Sequence, residues 1–394
     1  MSLFDKFKPL IEARATLGDI GPAPIATPID RVLSATRGLI DDREVILAGT
    51  NNYLGLTFHP DVIAAGREAL ESLGTGTTGS RMANGSYAGH RALEGDLARA
   101  FGWPSAIVFS TGYQANLGTL SGLTGSEDYL LVDSDSHASI YDGCRLSSAQ
   151  TIRFRHNDPE NLNRRLERLG DNARRALVVV EGLYSMFGDQ PPLAEFVEVK
   201  NRHGAWLLVD EAHSFGVFGE HGLGLTEQAG LLDEVDFIVG TFSKSLAGIG
   251  GFCVSPHREL ELLRLASRPY IFTASPSPSM MASTRKALEL IVNGQDLRAR
   301  LHANIQRLYR GAAALGLRMG SDKPGPVAAI ILPDRPTAIA YWRGLLDAGV
   351  YANLMIPPAT PAGTNLLRIS LSAAHSPEDI DRIVDALNLM RAAA

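Results

Sequence analysis

The chain has 394 residues, 45% of them hydrophobic and 20% charged, the composition of a globular protein with two or three packed units rather than of a disordered or fibrous one. A formal charge of -6 with scattered Lys and Arg leaves no basic face, which excludes nucleic acid as a partner. Two cysteines, Cys144 and Cys253, form neither a disulfide framework nor a metal cluster, and the chain shows no signal peptide and no apolar run near the ~20 residues of a membrane span, so a cytoplasmic protein is expected.

Leu3, Phe4, Phe7, Leu10 and Ile11 recur at helical spacing and predict an amphipathic helix at the start of the chain. Its stripe suits docking on the protein's own core or on a second subunit, and less well a weak membrane-surface contact. Gly21-Pro22-Ala23-Pro24 ends it. Glu44 to Gly49 reads as a strand entering the amide-rich turn Thr50 to Leu56, where Asn52 either binds a substrate carboxylate or closes the turn on its own backbone. A helix from about Pro60 to Leu73 precedes Gly74-Thr75-Gly76-Thr77-Thr78-Gly79-Ser80-Arg81. Such loops are often plain linkers, but the arginine after this one suits an anionic ligand.

Ala106 to Phe109 is an apolar strand running into Ser110-Thr111-Gly112-Tyr113 and a helical pattern. Strand, glycine turn and helix N-terminus make a phosphate cup, because free N–H groups and the helix dipole both point at the anion. Tyr129 to Asp133 followed by Ser136-His137-Ala138-Ser139 repeats the theme, His137 being either a ring-stacking residue or a satisfied structural histidine. Ala176 to Val180 runs into Glu181-Gly182-Leu183-Tyr184-Ser185. Continuously apolar strands alternating with helices predict a mostly parallel sheet covered on both faces, with ligands at the carboxyl ends of the strands.

Two further strand ends carry the chemistry. Trp206 to Asp210 ends in Asp210-Glu211-Ala212-His213, and Val235 to Val239 leads into Gly240-Thr241-Phe242-Ser243-Lys244-Ser245 before the glycine loop Ala247 to Gly251. A lone lysine of this kind is usually a solvated surface residue. Paired with an acid at a second strand end it suits pyridoxal 5'-phosphate, which needs a lysine to hold its aldehyde as an imine and a carboxylate to keep its ring nitrogen protonated. Asp210 supplies that carboxylate, and His213 is placed to hydrogen-bond the phenolic oxygen.

Beyond Gly251, Arg268 to Ser275 and a helix from about Pro278 to Val292 lead to a smaller C-terminal α/β unit. Its strands lie near Val327 to Leu332 and Leu366 to Leu371, with a rigid loop from Pro357 to Gly363 between them. Arg368 sits inside an apolar strand, where a charge is costly without an anion; a buried ion pair or a substrate carboxylate would serve. The expected division is an N-terminal helix and arm (1–45), a large cofactor-binding domain (46–280) and a small domain (281–394).

The motifs GTGTTGSR (74–81), FSTGYQANLG (109–118), DSHASIYDG (135–143), EGLYSM (181–186), VDEAHS (209–214), GTFSKS (240–245) and RPYIFTAS (268–275) span nearly the whole chain. On these residues it resembles the α-oxoamine synthases, a pyridoxal-phosphate family of the aspartate-aminotransferase fold. The resemblance implies the fold-type I architecture, a large mostly parallel-sheet domain with a smaller C-terminal α/β domain, and a C-acyltransferase joining an amino acid to an acyl thioester with loss of carbon dioxide. Members using glycine or alanine usually have asparagine before the stacking histidine; Ser136 points to the serine-using branch, hence to L-serine and a long-chain acyl-CoA or acyl carrier protein thioester.

Residue by residue, the resemblance implies Lys244 as imine lysine and base, His137 as stacking residue, Asp210 as partner of the ring nitrogen and His213 of the phenolic oxygen. Thr241, Ser185 and the backbone at Gly112 and Tyr113 would hold the cofactor, with Thr273 and Ala274 reaching it from the second subunit of a homodimer. Asn52, Ser80 and Arg368 would surround the amino acid. Some serine-using members carry an arginine before the PPATPAG loop where this chain has Ile356; carboxylate binding then rests on Arg368 and Asn52, and glycine or alanine stays open as the alternative substrate.

Overall fold

The computed structural model describes residues 2–8, 11, 27–357, 360 and 363–393. Its strands, in chain order, are β1 (Arg31–Val32), β2 (Arg37–Ile40), β3 (Arg43–Leu47), β4 (Ser105–Phe109), β5 (Tyr129–Asp133), β6 (Gln150–Phe154), β7 (Ala176–Glu181), β8 (Trp206–Asp210), β9 (Phe237–Thr241), β10 (Gly251–Ser255), β11 (Val327–Leu332), β12 (Val350–Tyr351), β13 (Asn353–Met355) and β14 (Asn365–Ser370). A seven-stranded sheet in the order β4-β10-β9-β8-β7-β5-β6 forms the large unit. β9, β8, β7, β5 and β6 pair in parallel, and β10 runs against both its neighbours.

Strands β4, β7, β9 and β10 are buried along their whole length, as strands covered on both faces must be. Alternate residues divide between two apolar clusters: Leu131, Val178, Val180 and Val209 face one, Leu130, Val132, Val179 and Leu208 the other. That is the two-residue period of a strand sandwiched between helical layers. The antiparallel β10 departs from the parallel pattern read in the sequence, because Phe242 to Gly250 leaves no room for a helical crossover. Lys244 rides on this short connection.

The C-terminal unit is the antiparallel sheet β11-β14-β13 with helices Gln295–Ala314, Arg335–Asp347 and Pro377–Ala393. β12 leaves it to pair in parallel with β3, completing a sheet β1-β2-β3-β12. The expected boundary at residue 45 thus falls inside β3, and the arm strands share a sheet with the C-terminal unit. At the N-terminus Asp5–Phe7 forms a 3-10 turn, and Leu3, Phe4, Phe7 and Ile11 are exposed rather than packed on the protein's own core. Leu10 and the Gly21 to Pro24 run lie outside the described residues.

Candidate active site

The carboxyl ends of the parallel strands open into a cavity of about 350 Å³ whose walls include Gly112, Tyr113, His137, Asp210, His213, Thr241 and Lys244. On one side Thr111 caps the helix Gly112–Leu123, its hydroxyl accepting from the Gln114 N–H at 3.0 Å. The first-turn N–H groups have no carbonyl partner within the helix. Backbones meet closely here: a Cβ on Gly112 would stand 2.6 Å from the Cβ of Thr241, and one on Gly251 would stand 2.6 Å from the Cα of Gly112. Only glycine permits that approach.

Asp210 is fixed by two donors, the Ala212 N–H to Oδ1 at 2.9 Å and Asn116 Nδ2 to Oδ2 at 2.7 Å. Asn116 also donates to the Ser139 hydroxyl at 2.9 Å, which lies 2.7 Å from His137 Nδ1. The His137 N–H donates to the Glu181 carboxyl. One chain of hydrogen bonds therefore holds acid and histidine together. On the other side the Tyr53 hydroxyl lies 2.6 Å from His213 Nδ1, while Arg368 donates from Nε to the Ser185 carbonyl at 2.7 Å and from Nη2 to Asn51 Oδ1 at 3.1 Å.

Burial governs the charges. Enclosure lowers the Lys244 ammonium to about 8, against the pull of Asp210 and Glu181. Burial likewise lowers His137, opposed by Asp210 and reinforced by Lys244, and holds His213 well below the usual imidazole range, with Lys244 and Arg368 adding to the effect. Glu181 is pushed well above the carboxylate range by burial and then by Asp210, its partner across β7 and β8. Arg368 is only 4% exposed. Among the described residues it forms no ion pair, its side-chain partners being neutral acceptors, so an internal ion pair does not explain its burial.

Asn52, Ser80, Ser185, Thr273, Ala274 and Arg368 do not line the cavity. Asn52 donates to Thr57 Oγ1 at 2.7 Å and to the Ala35 carbonyl at 3.3 Å, the turn-closing alternative, while its own side-chain oxygen is buried without a partner. The Ser80 carbonyl accepts from Gly85 N–H. Thr273 Oγ1 accepts from Gln114 Nε2 at 3.0 Å and the Ala274 carbonyl from the Ser110 hydroxyl, both within the same chain. Arg81 is buried and pairs with Glu94 at 3.0 Å, which also holds Arg264 at 2.9 Å, so the arginine of the glycine-rich loop serves the core instead of an anionic ligand.

The sequence reading passed over Asn116, Ser139, Glu181 and Tyr53 as site residues. Asn116 and Ser139 had a usable signal: Asn116 stands one helical turn beyond Gly112, and Ser139 two residues beyond His137. Glu181 ends its strand as Asp210 ends the next.

Pyridoxal phosphate fits this donor set. The glycine cradle with its unpaired N–H groups suits the phosphate, the desolvated Lys244 suits the aldehyde, and Asp210, bonded only to neutral donors, suits a ring cation. Fold and site together define a fold-type I pyridoxal-phosphate-dependent transferase. Residues 43–387 match the class I and II aminotransferases. The serine palmitoyltransferase of Caulobacter vibrioides is 54% identical over 384 residues, 98% of this chain and 95% of that protein. A high-resolution serine palmitoyltransferase structure with pyridoxal phosphate is similar with a TM-score of 0.97 and 48% identity, over 100% of this chain and 99% of that chain. The 8-amino-7-oxononanoate synthase of Saccharophagus degradans is 38% identical over 88% of this chain and 87% of that protein. The chain belongs to the class I and II aminotransferase family, in its α-oxoamine synthase branch.

Proposed function

We propose that this protein condenses L-serine with a long-chain acyl thioester, palmitoyl-CoA being the representative donor, to give 3-ketodihydrosphingosine, carbon dioxide and free thiol. This is the first step of sphingolipid synthesis. The carrying observation is that Lys244, Asp210, His137 and His213 converge on one cavity in a chain about half identical, end to end, to named serine palmitoyltransferases. When bound, pyridoxal phosphate supplies an aldehyde for the amino group and a protonated ring that takes up electrons from Cα.

Lys244 would hold the cofactor through its aldehyde and would serve as the base at the substrate Cα, an office suited to an ammonium that burial lowers to about 8. Asp210, aimed by Ala212 and Asn116, would keep the ring nitrogen charged, and His137, locked through Ser139, would stack on the ring. His213 would bond the phenolic oxygen. Thr241 and the N–H groups of Gly112 and Tyr113, which line the cavity, would hold the cofactor; the family resemblance adds Ser185, and Thr273 and Ala274 of the second subunit of a homodimer. On the same resemblance Asn52, Ser80 and Arg368, which lie outside the cavity's lining, would surround the amino acid. Arg368, buried without an acidic partner, takes the carboxylate. No helix among the described residues is long and apolar enough to cross a membrane; we place the enzyme in the cytoplasm, with at most a weak surface contact through Leu3, Phe4, Phe7 and Ile11.

A second reading, glycine or alanine with another acyl group, is favoured by one residue, the buried apolar Ile356 before the 357–363 loop. Titrating the purified protein with L-serine, glycine and L-alanine while following the cofactor's visible absorption separates the two, with Lys244→Ala as control. A saturable change with serine, followed by thiol release and a long-chain ketone on adding palmitoyl-CoA, is expected. Tighter binding of glycine or alanine with no turnover of serine overturns the substrate assignment, and no cofactor absorption in the wild type overturns the enzyme.

A further inference from the structure

Tyr53 follows the Asn51-Asn52 turn that leaves β3, and its side chain is completely buried. Its backbone is pinned on both sides: its N–H donates to the Asn51 carbonyl at 2.9 Å, and its carbonyl accepts from Ala373 at 2.7 Å. A phenol so buried must place its one proton. Two acceptors are in reach, His213 Nδ1 at 2.6 Å and Asn51 Oδ1 at 3.2 Å. Asn51 Oδ1 already accepts from Arg368 at 3.1 Å. Arg368 also stands beside the phenol, and a guanidinium can only donate. The phenol proton therefore goes to the nearer acceptor, the imidazole, and Arg368 meets the same cluster through Asn51 Oδ1.

We propose that Tyr53 is a positioning residue that holds His213 with its proton on Nε2, the ring nitrogen left for a ligand. A neutral imidazole carries a single proton, so a Nδ1 that accepts obliges Nε2 to donate. His213 is neutral because burial and the charges facing it, Lys244, Arg368 and His137, all oppose a second proton. Burial holds the Tyr53 phenol up at about 12, so it stays a donor. The proposal deepens the assignment of His213 to the phenolic oxygen of pyridoxal phosphate and rests on it. That oxygen is best served by a donor, which is what this tautomer supplies.

The test compares the wild-type holoenzyme with Tyr53→Phe, which removes only the hydroxyl. The variant is expected to take up pyridoxal phosphate, but about tenfold more weakly, and the pH midpoint of the bound cofactor's absorption change is expected to rise by about one unit, because a phenolic oxygen without its donor favours the protonated imine. In parallel, ¹⁵N-histidine spectra of the protein without cofactor, with His213 assigned by its loss in His213→Gln, should show the proton on Nε2 in the wild type and a mixture in Tyr53→Phe. Unchanged affinity and midpoint, or a wild-type His213 protonated on Nδ1, overturns the proposal. If Tyr53→Phe does not fold, the wild-type spectrum decides alone. Wild-type protein that binds no pyridoxal phosphate overturns the cofactor reading, while the spectra still decide the tautomer.

Discussion

An amine that ionises near 10.5 in the unfolded chain and at about 8 in the folded one holds its proton less tightly after folding. Below pH 8 the folded state carries the full penalty of a charged, enclosed lysine, up to about 3 kcal/mol; the penalty fades between 8 and 10.5 and is gone above. Lys244 keeps part of its surface exposed, which puts the effect at the lower end. Cofactor-free Lys244→Met should therefore unfold in urea with about 1–3 kcal/mol more stability than wild type at pH 7, and with no gain at pH 10.5. A gain that persisted at high pH would mean packing, not charge, is responsible. Arg368 tests the substrate side: Arg368→Gln should still take up the cofactor, while its serine titration midpoint rises about a hundredfold, the loss of a buried cation facing a carboxylate. Lys244, Asp210 and Arg368 were legible in the sequence because each is a charge at the end of, or inside, an apolar strand. Tyr53 was not, because what defines it is a partner 160 residues away; Glu181 carried the same strand-end signal as Asp210 and was passed over.

The elements that the sequence marked most clearly were a strand buried nearly throughout and helices with one buried stripe. Val327–Leu332, Pro60–Leu73 and Pro278–Val292 appear where the periodicity put them. β6 was passed over because it is an edge strand: Gln150, Thr151 and Arg153 face solvent and only Phe154 is buried, so no apolar run announces it. β12 and β13 are too short to have a period. The hairpin of β2 and β3 is tighter still, closed by Asp41 and Asp42 with φ of 49° and 59°. Two left-handed residues make a type I′ turn, whose second position prefers glycine. Asp42→Gly should raise stability by about 0.5 kcal/mol and Asp42→Val should lower it, both read from urea midpoints; equal midpoints for the two would show that the turn is not strained.

At the scale of the molecule, the site lies at the carboxyl ends of the seven-stranded sheet, and the N-terminal strands form a seam with the C-terminal unit. β14 bonds back to the arm through the Ser370 N–H and the Ala48 carbonyl at 2.7 Å, and Arg37 of β2 pairs with Asp379 of the last helix. His375 sits in the same seam, nearly inaccessible, its Nδ1 accepting from the Ser372 N–H at 3.0 Å. Burial lowers it to about 4, with Asp379 opposing and Arg37 adding to the fall. A histidine depressed in this way is neutral when folded, whereas the unfolded chain takes up a proton near 6.5. Stability is therefore intact above 6.5 and declines as pH falls from there to about 4, by up to roughly 3 kcal/mol for this group. His156 works in the opposite sense: burial opposes its charge, but its hydrogen bonds to the Asp133 and Asp189 carboxylates raise it to about 10, so its contribution is full below about 6.5, declines as pH rises from there and is gone above about 10. Acid sensitivity should accordingly follow the seam. His375→Gln, which cannot gain a proton, should lose about 2 kcal/mol less stability than wild type between pH 7 and pH 4.5 in urea titrations. Parallel curves for the two proteins would show that burial in the seam does not depress His375.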